Sequence, residues 1–105
     1  TGLIKVLLDN GRQKYATFRS NEHLPDKNIR ILREGFVSMD MAQNILVVKT
    51  LSGMAMAVAA AIDAMHMHEL VGCIAGDDTI MCAIRSVDDT IVVMRKLKKI
   101  MAEEY

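Results

Sequence analysis

The stretch "LIKVLLDNGRQKYATF" alternates apolar and polar positions on both sides of Asp9, Asn10 and Gly11. Alternation with period two marks a strand with one buried face, and Asn and Gly accept the positive φ of a tight turn, so residues 1–18 predict a β-hairpin. "RSNEHLPD" has no periodicity and holds the only proline, which makes residues 19–26 a linker. From Asp26, the apolar positions Ile29, Ile31, Leu32 and Phe36 predict a helix of about ten residues with Asp26 as its cap. "FVSMDMA" and "NILVVKT" predict two strands around a turn at Gln43 and Asn44. "SGMAMAVAAAIDAMHMHE" predicts an Ala- and Met-rich helix capped near Ser52, and "LVGCIA" and "TIMCAI" predict two strands joined by Gly76, Asp77 and Asp78. "SVDDTIVVMRKLKKIMAEEY" predicts a last helix, with Ser86 and Asp89 in capping-box positions.

This order predicts an α+β fold: a two-layer ββαββα domain over residues 27–105, with helices on one face of an antiparallel four-stranded sheet, preceded by a helix and the hairpin. An isolated hairpin is marginal in water, and Thr1 opens inside a strand pattern without an initiator Met. The sequence is therefore expected to be a piece of a longer protein, with the hairpin belonging to another domain. Within residues 54–65 every position but Asp63 is apolar. A helix with no polar face has to be covered on more than one side, and a second subunit is the simplest cover for so thin a domain.

Composition narrows the class. With 51% hydrophobic residues but only 4% aromatics, the core has to be built from Met, Val, Ile, Leu and Ala. No apolar run approaches the roughly 18 residues of a membrane span, and no signal-peptide pattern opens the chain, so a cytoplasmic protein with no membrane partner is expected. Cys73 and Cys82 lack CxxC spacing and read as small buried apolar side chains in a reducing compartment, with no redox role expected. The formal charge is zero, yet Lys5, Arg12, Lys14 and Arg19 crowd the first twenty positions, while residues 50–84 carry Asp63, Glu69, Asp77 and Asp78 with no Lys or Arg. The first segment suits an anion and the second a cation.

Asp-Asp-Thr-Ile occurs twice. Asp88 and Asp89 fall in the first turn of the last helix, where the dipole and free amides favour negative charge. Asp77 and Asp78 have two readings: ordinary turn chemistry, or carboxylates beside apolar strands that call for a cation. Asp63 is likewise either a solvated edge residue or a carboxylate at a subunit interface. Should its helix pack near the hairpin, all three would converge on a metal ion, a partner's Arg or Lys, or a small cationic ligand. Nothing resembles a calcium loop, and His66 and His68 at a helix end lack a third soft ligand, so no metal is expected. A guanidinium or ammonium group suits paired carboxylates. No Ser or Cys stands with a His and Asp, no glycine loop cradles phosphate, and adjacent carboxylates in a turn rarely face one reacting atom; the chain is not expected to be an enzyme.

At "GCIAGDDTIMCAIRSVDDT", preceded by "LVVKTLSGMAMAVAAAID", the sequence resembles the carboxy-terminal domain of the bacterial arginine repressor family. The resemblance runs over the whole chain, for "GLIKVLLDNGRQKYA" is similar to the wing hairpin that ends the family's winged-helix DNA-binding domain. It implies a transcriptional regulator of arginine metabolism and biosynthesis whose ββαββα domain forms trimers, two of them stacked into a hexamer that binds L-arginine as co-repressor between them. By that resemblance Asp77 and Asp78 fall on the aspartates of the ligand motif, with Asp78 reaching across the trimer interface. Asp63 falls on the helix aspartate of the site and Ala75 on a strand position that lines it. Met56 stands where many members have a ligand-contacting glutamine, Cys73 where a threonine is frequent, and Ser52 where a proline is common. A thioether has none of an amide's donors, so Met56 bears on arginine affinity. As a wing, the hairpin would touch phosphates of operator DNA through Lys5, Arg12 or Lys14; as an ordinary hairpin, those charges are merely solvated. The alternatives are a paralogue that is insensitive or weakly sensitive to arginine, binds something else or works by mixing with another repressor, or a constitutive assembly domain whose acidic cluster meets Arg95, Lys96, Lys98 or Lys99 of a partner subunit.

Overall fold

In Ile45–Thr50, Leu46, Val48 and Thr50 are buried while Lys49 is exposed; in Thr79–Ile84, Ile80, Cys82 and Ile84 are buried while Met81 and Ala83 face out. These strands form the centre of a four-stranded sheet in the computed structural model, which describes residues 25–102. The hairpin expected at 1–18, with Lys5, Arg12 and Lys14, lies outside the described residues, as does the linker up to residue 24. The elements are α1 (Asp26–Gly35), β1 (Phe36–Ala42), β2 (Ile45–Thr50), α2 (Ala55–Asp63), β3 (Leu70–Ala75), β4 (Thr79–Ile84) and α3 (Val87–Ala102). All strand pairs are antiparallel and the sheet order is β1-β2-β4-β3. This is the expected α+β, two-layer arrangement.

Each helix contributes an apolar stripe to one core. Leu32 from α1, Val58 and Ile62 from α2, and Val93 and Leu97 from α3 are almost fully buried together with Leu46, Val48, Ile80 and Cys82 of the sheet. The end of α1 crosses α2 so closely that a Cβ on Gly35 would lie 2.6 Å from Val58 Cγ2.

Two helix starts differ from expectation. The cap of α1 is Pro25, whose carbonyl accepts the Asn28 and Ile29 amides; Asp26 is the first helical residue and makes no capping bond. The expected helix over residues 52–69 shortens to nine residues, Ala55–Asp63. Ser52 does not cap it. Instead the amides of Gly53 and Ala55 donate to the Asp77 carbonyl at 3.1 and 3.2 Å, with Gly53 at φ 81°, so the β3–β4 turn closes the helix start. At the far end His66 takes φ 50°, which reverses the chain, and Met67 folds back into the core. The start of α3 is as expected, with the Asp89 amide donating to Ser86 Oγ at 3.0 Å.

Two apolar surfaces stay uncovered among the described residues. On the sheet face away from the helices, Val47, Met81 and Ile74 stand in register across β2, β4 and β3, with Ile74 80% exposed. On the outer side of α2, Met56 is 73% exposed and shares its side with Ala57, Ala60 and Asp63. Among the described residues nothing supplies the second side of cover that the apolar helix calls for.

Candidate functional site

The acidic turn is built by the backbone. The Gly76 amide donates to the Thr79 carbonyl at 2.9 Å, closing the hairpin. The Asp77 carbonyl serves the start of α2, and the Asp78 carbonyl accepts the Thr50 amide at 2.8 Å. Both carbonyls thus face the chain and both residues remain exposed. Neither aspartate nor Gly76 has a positive φ, so the turn does not demand these residue types, which weakens the reading as turn chemistry alone. Asp78 is further held by a string of side chains: Thr79 Oγ1 donates to Asp78 Oδ1 at 3.0 Å and accepts from Lys49 Nζ at 3.0 Å. The sequence reading missed Thr79 and Lys49 as partners. Lys49 borders the acidic segment, and only the β2–β4 register, which sets Lys49 opposite Thr79, brings the two together.

Asp63 ends α2 and is exposed. Cys73 Sγ of β3 donates to its Oδ1 at 3.4 Å. The Cys73 thiol is pushed up to about 12 by burial, with Cys82 and Asp63 adding to the effect, and burial raises Cys82 to about 11. Both sulfurs therefore stay protonated at neutral pH, and Cys73 is a donor to the carboxylate. Asp63 also borders a shallow depression with His66, Met67, Leu70, Val71 and Gly72.

The expected convergence of Asp63, Asp77 and Asp78 does not occur within one chain. The turn sits at the start of α2 and Asp63 at its end, eight residues on from Ala55, a span of about 12 Å at 1.5 Å per residue. Met56 lies in the first turn of α2, beside the acidic turn, and Ala75 is half-buried opposite Ile80 on β4. Each chain therefore offers two acidic points, one at either end of a helix whose outer side is apolar. Among the described residues no group of three or more His, Cys, Asp or Glu side chains is placed to hold a metal ion. Of the basic residues on α3, Lys96 is already engaged with Glu69 at 3.0 Å; the Glu69 backbone and Lys96 hold that carboxyl below its ordinary range.

A family model described as "Arginine repressor, C-terminal domain" matches residues 32–99. Among curated proteins, the arginine repressor of Lachnoclostridium phytofermentans is 67% identical over 100 residues, covering 94% of this chain and 66% of that protein. The arginine repressor of Lachnospira eligens is 60% identical with the same coverage, and that of Alkaliphilus oremlandii is 52% identical over 92% of this chain and 68% of its own length. The chain thus spans 66% of the length of the first two relatives.

Proposed function

The chain belongs to the arginine repressor family, and from that premise we propose that residues 27–105 are the ligand-sensing and assembly domain of a transcriptional regulator of arginine metabolism, acting in the cytoplasm with L-arginine as co-repressor. The observation that carries the reading is the separation of the acidic points by the length of α2. L-Arginine has two cationic ends, a guanidinium and an α-ammonium. Paired carboxylates suit the first, with its planar array of donors, and a single carboxylate suits the second. In this account Asp77 and Asp78 of one subunit take the guanidinium while Asp63 of a facing subunit takes the α-ammonium. Ala75 lines the space and Met56 packs against the ligand's methylenes in place of hydrogen-bonding it.

Two uncovered apolar surfaces on opposite sides of the domain call for two kinds of self-contact. A ring of three closed through one surface and stacked on a second ring through the other satisfies both, giving a hexamer as two trimers. Ligand bound between rings stabilises the stacked form in proportion to its preference for that form over the separated one. In a protein of the relatives' length, of which the chain spans 66%, the stacked form would hold winged-helix domains in register on operator DNA, with Lys5, Arg12 or Lys14 touching phosphates. No step in this account is catalytic.

Calorimetric titration of the full-length protein tests it, with L-citrulline as the uncharged control. Saturable heat with L-arginine, none with citrulline, and an affinity at least about thirtyfold weaker in Asp78→Asn are expected, the last from about 2 kcal/mol for removing one member of a hydrogen-bonded charge pair. No heat with arginine from an assembled protein overturns the sensing role and leaves a constitutive assembly domain.

A further inference from the structure

Cys73 and Cys82 lie directly opposite each other on β3 and β4. Since Gly76 and Thr79 close the hairpin as a hydrogen-bonded pair, alternation along the ladder makes Ala75–Ile80 a narrow, unbonded pair, Ile74–Met81 a bonded one and Cys73–Cys82 narrow again. Narrow pairs hold their Cα atoms about 4.5 Å apart, inside the window of roughly 4.4 to 6.8 Å that a disulfide accepts. Both side chains point to the helix side of the sheet: Cys82 is 1% exposed in the core and Cys73 reaches Asp63. The two thiols also interact with each other. The pair is unused by the ligand reading above, apart from the hydrogen bond that Cys73 gives Asp63.

We infer that Cys73 and Cys82 are a dithiol modification site, oxidised to a cross-strand disulfide by low-molecular-weight disulfides, and that oxidation withdraws the Cys73 thiol from Asp63. Cys73, the more exposed of the two, reacts first: its sulfur attacks the small disulfide, forming a mixed disulfide and releasing one small thiol, which carries away the Cys73 proton. Cys82 then attacks the Cys73 sulfur, the cross-strand S–S bond forms, and a second small thiol leaves with the Cys82 proton. Two protein thiols are oxidised and one small disulfide is reduced to two thiols. Exchange is slow, because only the thiolate attacks and both thiols are protonated at neutral pH. In the product the Cys73 sulfur is bonded to Cys82 and has no hydrogen for Asp63, so the carboxylate loses the group that orients it. The effect on ligand binding rests on the reading of Asp63 as a ligand carboxylate; the disulfide itself does not.

The test uses the full-length protein and oxidised glutathione. No Lys or Arg falls between Lys49 and Arg85, so one tryptic peptide carries both cysteines. After incubation, this peptide is expected to resist alkylation until reduced and to weigh two hydrogens less, while Cys82→Ser gives only a glutathione adduct or a free thiol. The oxidised protein is expected to bind L-arginine about fivefold more weakly, the equivalent of one ordinary hydrogen bond, and reduction restores it. Cys73→Ser cannot form the cross-strand bond, and its arginine affinity is expected to be the same with and without the oxidant. A peptide whose two cysteines remain freely alkylated overturns the modification site. A disulfide formed without change in arginine affinity overturns the link to Asp63. Failure of the reduced protein to bind arginine overturns the ligand reading instead, and the mass of the peptide still decides for or against the disulfide.

Discussion

One oxygen of Asp78 takes the Thr79 hydroxyl, and that hydroxyl takes the Lys49 ammonium, so the carboxylate is oriented by a string of neutral and cationic donors in place of a direct ion pair. The candidate aspartates were legible from charge alone: a segment with four acids and no base names Asp63, Asp77 and Asp78 without a structure. Lys49 and Thr79 were not, because their meeting depends on the register of β2 against β4. The cysteines were legible only as small side chains; that they face each other and Asp63 follows from pairing across a hairpin. Their titration has a consequence for stability. Folding raises Cys73 from 9.0 to about 12 and Cys82 from 9.0 to about 11, so the folded state keeps protons that the unfolded chain releases. That contribution is complete below pH 9.0 and is lost as pH rises towards the folded values. Melting temperature measured from pH 8 to pH 11 is expected to fall more steeply in the wild-type protein than in Cys73→Ala/Cys82→Ala. Equal slopes would contradict the shifts.

At the scale of elements, the strands were readable because alternation is local, and their edges fall within a residue of expectation: β2 begins at Ile45, one past the expected Asn44. The ends of α2 were not readable. Its composition stays helical past Asp63, but closure comes from the Asp77 carbonyl at one end, a tertiary event, and at the other from a left-handed turn at His66, where no glycine marks it. Capping by a distant turn also explains why the acidic residues sit where they do, since the backbone that starts the helix fixes the turn against it. The crossing of α1 over α2 sets a steric limit at Gly35 that no periodicity announces. Gly35→Ala is expected to destabilise the domain by about 1 to 3 kcal/mol in denaturant unfolding, because the new methyl displaces Val58 in a packed core. A neutral result would mean that α1 shifts freely on α2.

For the whole molecule, the apolar composition of α2 pointed to a helix needing cover on a second side, and Met56 stands exposed there among the described residues, while the uncovered row Val47, Met81 and Ile74 emerges only once the sheet is assembled. Ile74→Lys places a charge in the middle of that row without touching the core. It is expected to lower the assembly state by sedimentation velocity while leaving the helical content unchanged, and an unaltered assembly would remove the sheet face from the interface. The central claim is that one arginine site draws Asp63 from one subunit and the 77–78 turn from another. Mixed assemblies test it most directly: full-length Asp63→Asn and Asp77→Asn/Asp78→Asn, each unable to bind L-arginine alone, are unfolded together, refolded as mixtures and titrated. Binding is expected to return in the mixture, because some shared sites then combine an intact Asp63 with an intact turn. A mixture as silent as its two components would place the whole site within one chain and contradict the account.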